Sequence, residues 1–218
     1  CTFLGRKPYA ESGYDLNLSP VSGGYVLEVG SERGASLLRE AGEALGDASA
    51  GQIAERDRNR QSVEETVRRR ASDAGLQDSA PLQERVRTSR GEPIWGELAE
   101  RCVECAACNF ICPTCHCFVL ADVQAREGFR RFKNWDACLY RAFALEASGA
   151  NPRPRRADRM HGRLEKKFDF IRTNTGDWGC VGCGRCVQAC TGEIDMRETL
   201  KDLLAERAGA GRTEGADA

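Results

Sequence analysis

The sequence predicts a mainly α-helical protein, and three observations support this fold class. Over most of the chain, apolar residues recur every three to four positions, which is the period of one face of an α-helix. The alternation that is typical of strands is confined to a short stretch near the beginning. Most of the 12 cysteines fall in two short runs, and residues 113–179 between them form a long insertion with a helical pattern.

The first zone, residues 1–46, is predicted as a small β element. The stretches "GYDLNL" and "GGYVLEVG" alternate apolar and polar residues around Pro20 and the Gly23-Gly24 pair. Because Pro and Gly are turn residues, this pattern indicates a short hairpin. The chain begins with Cys1 instead of methionine, which indicates a piece of a longer protein.

The second zone, residues 47–92, is predicted as a charged helical connector. Ala, Glu, Arg and Gln dominate its composition, so few side chains are available for a core. Its sparse apolar positions are Ile53, Val63, Val67, Leu76 and Val86. We therefore expect helices that pack on one side only.

The third zone, residues 93–204, is predicted to hold the chemistry on three helices. The first begins near Pro93 and delivers Cys102 to the site. The second covers "WDACLYRAFALEASG", which stops at Gly149, and the third covers "MRETLKDLLAERAG". The remaining residues, 205–218, are rich in Gly and Ala and are predicted to be disordered.

Charge and hydropathy argue against two classes of partner. The net charge of -1 disfavours a nucleic-acid binder, which usually carries a strong basic excess. No segment approaches the roughly 18 to 20 apolar residues of a membrane span, and the first residues lack a secretory signal, so a cytoplasmic location is expected. The basic stretch 151–167 is interpreted as a solvated face or as a surface that docks on an acidic partner.

The two cysteine runs predict iron–sulfur clusters. Each run has the spacing C-x2-C-x2-C-x3-C, and the residues are Cys102, Cys105, Cys108 and Cys112 in the first run and Cys180, Cys183, Cys186 and Cys190 in the second. This is the spacing of bacterial-type [4Fe-4S] ligation, in which the fourth cysteine of a run serves the other cluster. Structural zinc is the alternative, but its paired cysteines do not explain a third cysteine at the same step.

The crossed ligation predicts two [4Fe-4S] clusters with defined ligands. Cluster one is predicted to bind Cys102, Cys105, Cys108 and Cys190, and cluster two is predicted to bind Cys180, Cys183, Cys186 and Cys112. The clusters would tie the two ends of the third zone together, so metal binding and folding should be coupled. The long insertion fits an α-helical ferredoxin-type domain, similar to the iron–sulfur subunits of fumarate reductase and succinate dehydrogenase.

Several residues near the runs are predicted to have supporting roles. The glycines beside the second run, at 179, 182 and 184, should allow tight turns that aim N–H groups at sulfide. Cys115, Cys117 and Cys138 are expected to pack near a cluster, with a redox or ligand role as the alternative. The two histidines, at 116 and 161, are expected to form hydrogen bonds instead of binding metal.

The stretches "CVECAACNFICPTCHCF", "NWDACLYRAFALEASGANPRP" and "CVGCGRCVQAC" closely resemble the iron–sulfur β subunit of cytoplasmic sulfhydrogenases and related NiFe hydrogenases. They are also similar to the corresponding iron–sulfur subunit of anaerobic sulfite reductase. The resemblance implies that residues 1–46 end a missing N-terminal domain that carries further cysteines. It also makes Cys1 a candidate ligand of a third cluster shared with that region.

The resemblance implies an electron-transfer subunit of a hetero-oligomeric oxidoreductase. Such a subunit passes electrons between a flavin- and NAD(P)-binding subunit and a catalytic, hydrogenase-like subunit. A sulfite reductase, a heterodisulfide-reductase-like complex and a formate dehydrogenase are alternative settings. A structural scaffold and an enzyme that binds substrate at a cluster also remain open. The sequence contains no nucleotide-binding loop and no catalytic acid–base set, so no catalytic residue is predicted.

Overall fold

A computed structural model describes residues 1–41 and 45–205 of the chain. The chain divides into two compact units, residues 1–73 and the remainder from residue 74. This division falls inside the segment 47–92, which the sequence predicts as a connector. It also differs from the predicted domain boundaries at residues 46 and 92.

The first unit is built on the predicted hairpin. Strands β1 (Leu16–Val21) and β2 (Gly24–Val29) pair antiparallel, with Val21 opposite Gly24 at the turn. Helix α1 (Glu32–Ala41) follows, and helix α2 (Ala50–Asp73) packs against both strands. The hairpin prediction is confirmed, since it rests on local alternation and turn residues that do not depend on distant contacts.

The second unit contains seven further helices and one further hairpin within its described part. The helices are α3 (Leu82–Thr88), α4 (Pro93–Arg101), α5 (Ala107–Phe110), α6 (Arg156–Glu165), α7 (Ile171–Thr175), α8 (Arg185–Gln188) and α9 (Met196–Ala205). A π turn (Lys166–Phe170) joins α6 to α7 without a break. The hairpin consists of β3 (Phe118–Gln124) and β4 (Phe129–Trp135).

The core of the second unit lies where α3 and α4 meet the continuous helix α6–α7 and where α9 packs on α3. Its largest buried side chains are Trp95, Phe168, Leu82, Leu164 and Leu203. The ring of Trp95 meets that of His161 edge to face, with centroids 5.0 Å apart, and His161 Nε2 lies 3.0 Å from Val86 O. The expectation that His161 forms a hydrogen bond is therefore met, and α6 is fixed against α3 and α4.

The helical prediction for "WDACLYRAFALEASG" is wrong. Trp135 ends strand β4, and residues 138–149 form consecutive turns with hydrogen bonds such as Tyr140 N to Ala137 O. Three consecutive residues, 137–139, are buried together, whereas a helix would bury residues three or four apart. Packing of this short segment therefore overrides the helical period.

The insertion between the cysteine runs is only partly helical, which corrects a second expectation. Both strands of the β3–β4 hairpin are exposed along their whole length. The sequence of β3 alternates apolar and polar residues only weakly, so it does not show the pattern that predicts a strand. Large apolar side chains on this surface include Leu120, Val123, Phe129 and Trp135. The hairpin is joined to the cysteine region at its base, where Asp136 N donates to Cys117 O.

Two further predictions concern the chain ends and membranes. The predicted last helix is present as α9, but the predicted disordered tail lies outside the described residues, apart from Ala205. Over the residues that the structure describes, no helix is both long and apolar enough to span a bilayer.

Candidate metal centre

The two cysteine runs adopt the same backbone shape. Glu104 and Ala106 in the first run have positive φ angles of 56° and 57°. Gly182 and Gly184, at the equivalent positions of the second run, have φ angles of 66° and 76°. Each run continues into a one-turn helix, α5 or α8, and the two helices pack against each other. The left-handed conformation is costly for residues with a side chain, so its presence in the first run indicates a constrained loop.

The structure brings together cysteines from both runs around one cavity. This cavity has a volume of about 40 Å³. Its sulfur-bearing lining consists of Cys102, Cys105, Cys108, Cys186 and Cys190, and its apolar lining includes Leu139, Met160 and Ile194. The four residues predicted to bind cluster one thus share a single space with one predicted ligand of cluster two.

The predicted ligands of cluster two do not line one common cavity in the described residues, since only Cys186 among them lines the cavity of cluster one. Burial raises the pKa of Cys180, and the charges of Cys186 and Cys112 act in the same direction. The amide of Gly182 donates to Cys180 Sγ over 3.4 Å. Cys183, in contrast, lies exposed on the surface.

Gly179 lets the second run approach the helix α6–α7 closely. Its amide donates to Lys167 O over 2.7 Å, and its backbone has no room for a side chain. A Cβ at this position would lie 2.9 Å from Lys167 Cα and 2.6 Å from Ile171 Cδ1. The close approach explains why a residue without a side chain precedes Cys180.

The three additional cysteines meet in a second, smaller cavity. Cys115, Cys117 and Cys138 line it, together with His116 and Asn109. Cys117 and Cys138 are buried, and the Asn109 side-chain nitrogen lies 3.2 Å from Cys138 Sγ. Burial raises the pKa of the Cys138 thiol. This environment agrees with the packing role expected of these cysteines.

Among the thiols, Cys112 has the surroundings that most strongly stabilise its deprotonated form. The Cys115 thiol donates a hydrogen bond to Cys112, and Thr114 and Lys167 also stabilise the thiolate, so the pKa of Cys112 is well below that of a free cysteine. The same hydrogen bond raises the pKa of Cys115. In Cys108, burial dominates and raises the pKa to about 11, against the opposing influence of Arg163.

The sequence interpretation missed two buried cations that face these sulfurs. Lys167 Nζ lies 3.2 Å from Cys112 Sγ, and Arg163 lines both cavities. Burial acts to lower the pKa of Arg163, but the charges of nearby cysteines outweigh burial and raise it, so its guanidinium stays protonated. A detectable signal existed: Arg159, Arg163 and Lys167 recur every four residues, one position before the apolar series at 160, 164 and 168.

Arg159 holds the first cysteine loop against helix α6 through an ion pair. It is buried on α6 and forms an ion pair with Glu104, the residue with a left-handed backbone between Cys102 and Cys105. Arg159 Nε also donates to Leu139 O over 2.9 Å, and its Nη1 donates to Pro154 O over 2.7 Å. The ion pair therefore holds the strained loop against α6.

The donor set fits iron–sulfur clusters. Two loops of the same shape each supply cysteines, and N–H donors and buried cations surround the sulfurs, as a group of negative charge requires. Within residues 1–41 and 45–205, no three Cys, His, Asp or Glu side chains converge closely enough to hold a single metal ion. The donor set matches the chemistry of cluster ligation, in which each cysteine would bind a different iron.

Comparison with protein families agrees with this class of site. Residues 101–194, which span both cysteine runs and the insertion, match the family described as 4Fe-4S dicluster domain. This segment of the chain is therefore similar to iron–sulfur domains of that family. No solved structure matches the chain.

A curated relative extends the similarity to most of the chain. It is the sulfhydrogenase 2 subunit beta of Pyrococcus furiosus, which is 31% identical over 209 residues. The match covers 93% of this chain and 58% of the relative, so the chain spans little more than half of the relative's length. The predicted resemblance to an iron–sulfur β subunit of a sulfhydrogenase is confirmed.

Proposed function

We propose that this chain is an electron-transfer subunit that relays single electrons through two [4Fe-4S] clusters. The electrons would pass between a flavin- and NAD(P)-binding subunit and a catalytic, hydrogenase-like subunit of a hetero-oligomeric complex. The observation that carries the proposal is the pair of equally shaped cysteine runs, which contribute together to one sulfur-lined cavity.

Each cluster, when bound, accepts and releases one electron. The chain's own residues hold the two binding loops close together, because α5 packs on α8 and both runs contribute to one cavity. Apolar residues such as Leu139, Met160 and Ile194 limit the access of water to that cavity. Burial and backbone N–H donors adjust a cluster's reduction potential, which spans roughly -700 to +450 mV across proteins. The arrangement therefore suits electron transfer without substrate chemistry in this chain.

Metal and sulfide analysis of anaerobically purified protein tests the proposal. We expect about eight irons and a similar amount of acid-labile sulfide per chain, four for each cluster. Reduction with dithionite should give the broadened EPR signal of two interacting clusters. A content of about twelve irons would add a third cluster and bring Cys1 into consideration as its ligand. Four irons or fewer in intact, fully loaded protein, or zinc in their place, would contradict the ligand assignment.

The β3–β4 hairpin supports assembly with another subunit. An isolated two-stranded hairpin is at best marginally stable in water, and this one exposes Phe129 by 78% and Trp135 by 71%. Asp122 pairs with Arg131, while Arg130 and Lys133 have no ion pair within the described part of the chain. The surface is thus apolar and basic, and we assign it to an acidic face of a partner subunit.

A matched pair of substitutions tests this assignment in the native complex. Phe129→Asp should release the partner subunit, because it places a negative charge against an acidic surface. Tyr25→Asp, at a residue exposed by 67% on the first hairpin, serves as the control. The mass of the complex, isolated through a tag on this chain, should fall only for Phe129→Asp. Equal masses for both variants would exclude the hairpin as the contact.

A further inference from the structure

Helix α6 and the π turn that follows it carry three cations that line a cavity together with cysteines. Arg163, Lys166 and Lys167 are spaced three and four residues apart, so they share one helix face. Lys166 Nζ lies 3.7 Å from Cys117 Sγ, and Lys167 Nζ lies 3.2 Å from Cys112 Sγ. The sequence predicts that the basic stretch 151–167 is solvated or docks on a partner, but at these positions it faces the candidate metal centre.

Lys167 is held in one position by three acceptors. Its Nζ contacts Cys112 Sγ, and it donates to Thr114 Oγ1 over 3.1 Å and to Gly179 O over 3.0 Å. An ammonium group has three donors, so all of them are used. Lys167 is only 5% exposed, and no carboxylate pairs with it within the described residues. Cys112 is thus the only acceptor among the three that can carry a negative charge.

Arg163 occupies the space between the two cysteine sets. Its Nη2 donates to Cys108 O over 3.1 Å, while its buried Nε has no hydrogen-bond partner. It is 3% exposed, lines both cavities and has no ion pair within the part of the chain that the structure describes. Arg159, one turn earlier, is equally buried but is paired with Glu104. A buried cation without a carboxylate requires another source of negative charge.

We propose that Lys167 and Arg163 are fixed counter-charges of the two clusters and raise their reduction potentials. This inference rests on the proposed function. Lys167 would act mainly on cluster two through Cys112, and Arg163 would act on both clusters. Reduction adds one electron to a cluster that is already anionic, and neither cation changes its bonds in that step. A fixed positive charge a few Å away therefore stabilises the reduced form more than the oxidised form.

The midpoint potentials of cluster-loaded protein test the proposal. Wild-type protein and Lys167→Met are purified anaerobically, checked for iron and sulfide content, and titrated with dithionite while EPR is recorded. We expect the equilibrium constant for reduction of one cluster to fall about tenfold in Lys167→Met. For a one-electron couple this is a shift of about 59 mV to lower potential. An unchanged midpoint in fully loaded Lys167→Met would overturn the role of Lys167.

The neighbouring lysine provides the control. Lys166→Met removes the same charge one residue away, but Lys166 faces Cys117, which is not a predicted cluster ligand. Its midpoints should stay close to those of the wild type, and Lys167→Arg should restore the wild-type value. A shift of equal size in Lys166→Met would mean that only net charge matters and would overturn the specific assignment. For Arg163, loaded Arg163→Met should lower both midpoints, whereas Arg163→Lys should retain them.

Loss of iron from a variant also decides the question. If neutral residues at position 167, including Lys167→Gln, prevent cluster binding while Lys167→Arg permits it, the positive charge is needed for the anionic clusters to bind. That result supports the proposal. If Lys167→Arg also fails to bind iron, the role of Lys167 is steric and the proposal is wrong. The iron content of the wild-type protein tests the proposed function separately.

Discussion

Helix α2 and the continuous helix α6–α7 are both rich in basic residues, but their cations have different surroundings. Helix α2 has no buried residue, and its arginines meet carboxylates at the surface, as in the ion pairs Arg56–Glu28 and Arg68–Glu64. On α6–α7, Arg159, Arg163 and Lys167 are all buried. A basic segment can therefore be buried in the interior when apolar residues with the same spacing adjoin its cations.

The partners of the cations also differ between the two helices. In α2, the arginines Arg56, Arg60 and Arg68 form ion pairs with carboxylates. Among the buried cations of α6–α7, only Arg159 has a carboxylate partner within the described residues. Arg163 and Lys167 face sulfur instead. Removal of the metal should therefore affect α6–α7 and leave α2 unchanged.

The largest expected effect comes from removal of iron. Without clusters, Arg163 and Lys167 lose the negative charge that compensates their burial, so the α6–α7 helix should open. Hydrogen exchange measured before and after iron removal should increase strongly in peptides that cover residues 156–170. Peptides that cover residues 50–73 should not change. Equal changes in both regions would contradict the coupling of the buried cations to the metal.

A smaller effect is expected from the loss of one buried cation. Arg163→Met should lower the free energy of unfolding of the cluster-loaded protein by about 3–5 kcal/mol, because it leaves neighbouring negative charge uncompensated in the interior. Arg68→Met, on the exposed side of α2, should change it by no more than about 0.5 kcal/mol. Anaerobic denaturant titrations of the two variants provide the measurement. Similar values would show that burial of Arg163 has no energetic consequence.

The loss of a carboxylate partner should have the smallest effect. Glu104→Gln weakens a charge-assisted hydrogen bond to buried Arg159, which we expect to cost about 1.5–3 kcal/mol. Glu28→Gln should cost about 1 kcal/mol or less, because the side chains of its partners Arg56 and Arg60 are 16% and 17% exposed, compared with 4% for Arg159. Thermal unfolding of both variants under anaerobic conditions checks the order. A larger loss in Glu28→Gln would reverse the comparison.

Prediction from sequence succeeded where the determining pattern is local. The hairpin β1–β2, the helix that ends before Cys102 and the last helix were all predicted. The ligand set, with cysteines of both runs together, stays a prediction that the shared cavity supports. Helix periodicity failed in the segment 135–149, where the three consecutive residues 137–139 are buried. The β3–β4 hairpin was missed because its strands are exposed on both faces and show little alternation.

The sequence by itself determined the chemistry of this protein. Thiolates at fixed short spacing predict an iron–sulfur domain, because three ligands of each predicted cluster come from one short run of residues. The surroundings of the sulfurs were decided only by the tertiary structure. Whether a lysine lies in water or 3.2 Å from Cys112 depends on how α6–α7 packs against the second cysteine run. The four-residue recurrence of Arg159, Arg163 and Lys167 in the sequence does not say what these cations face. The long-range packing decides that, and it places positive charge beside the candidate clusters.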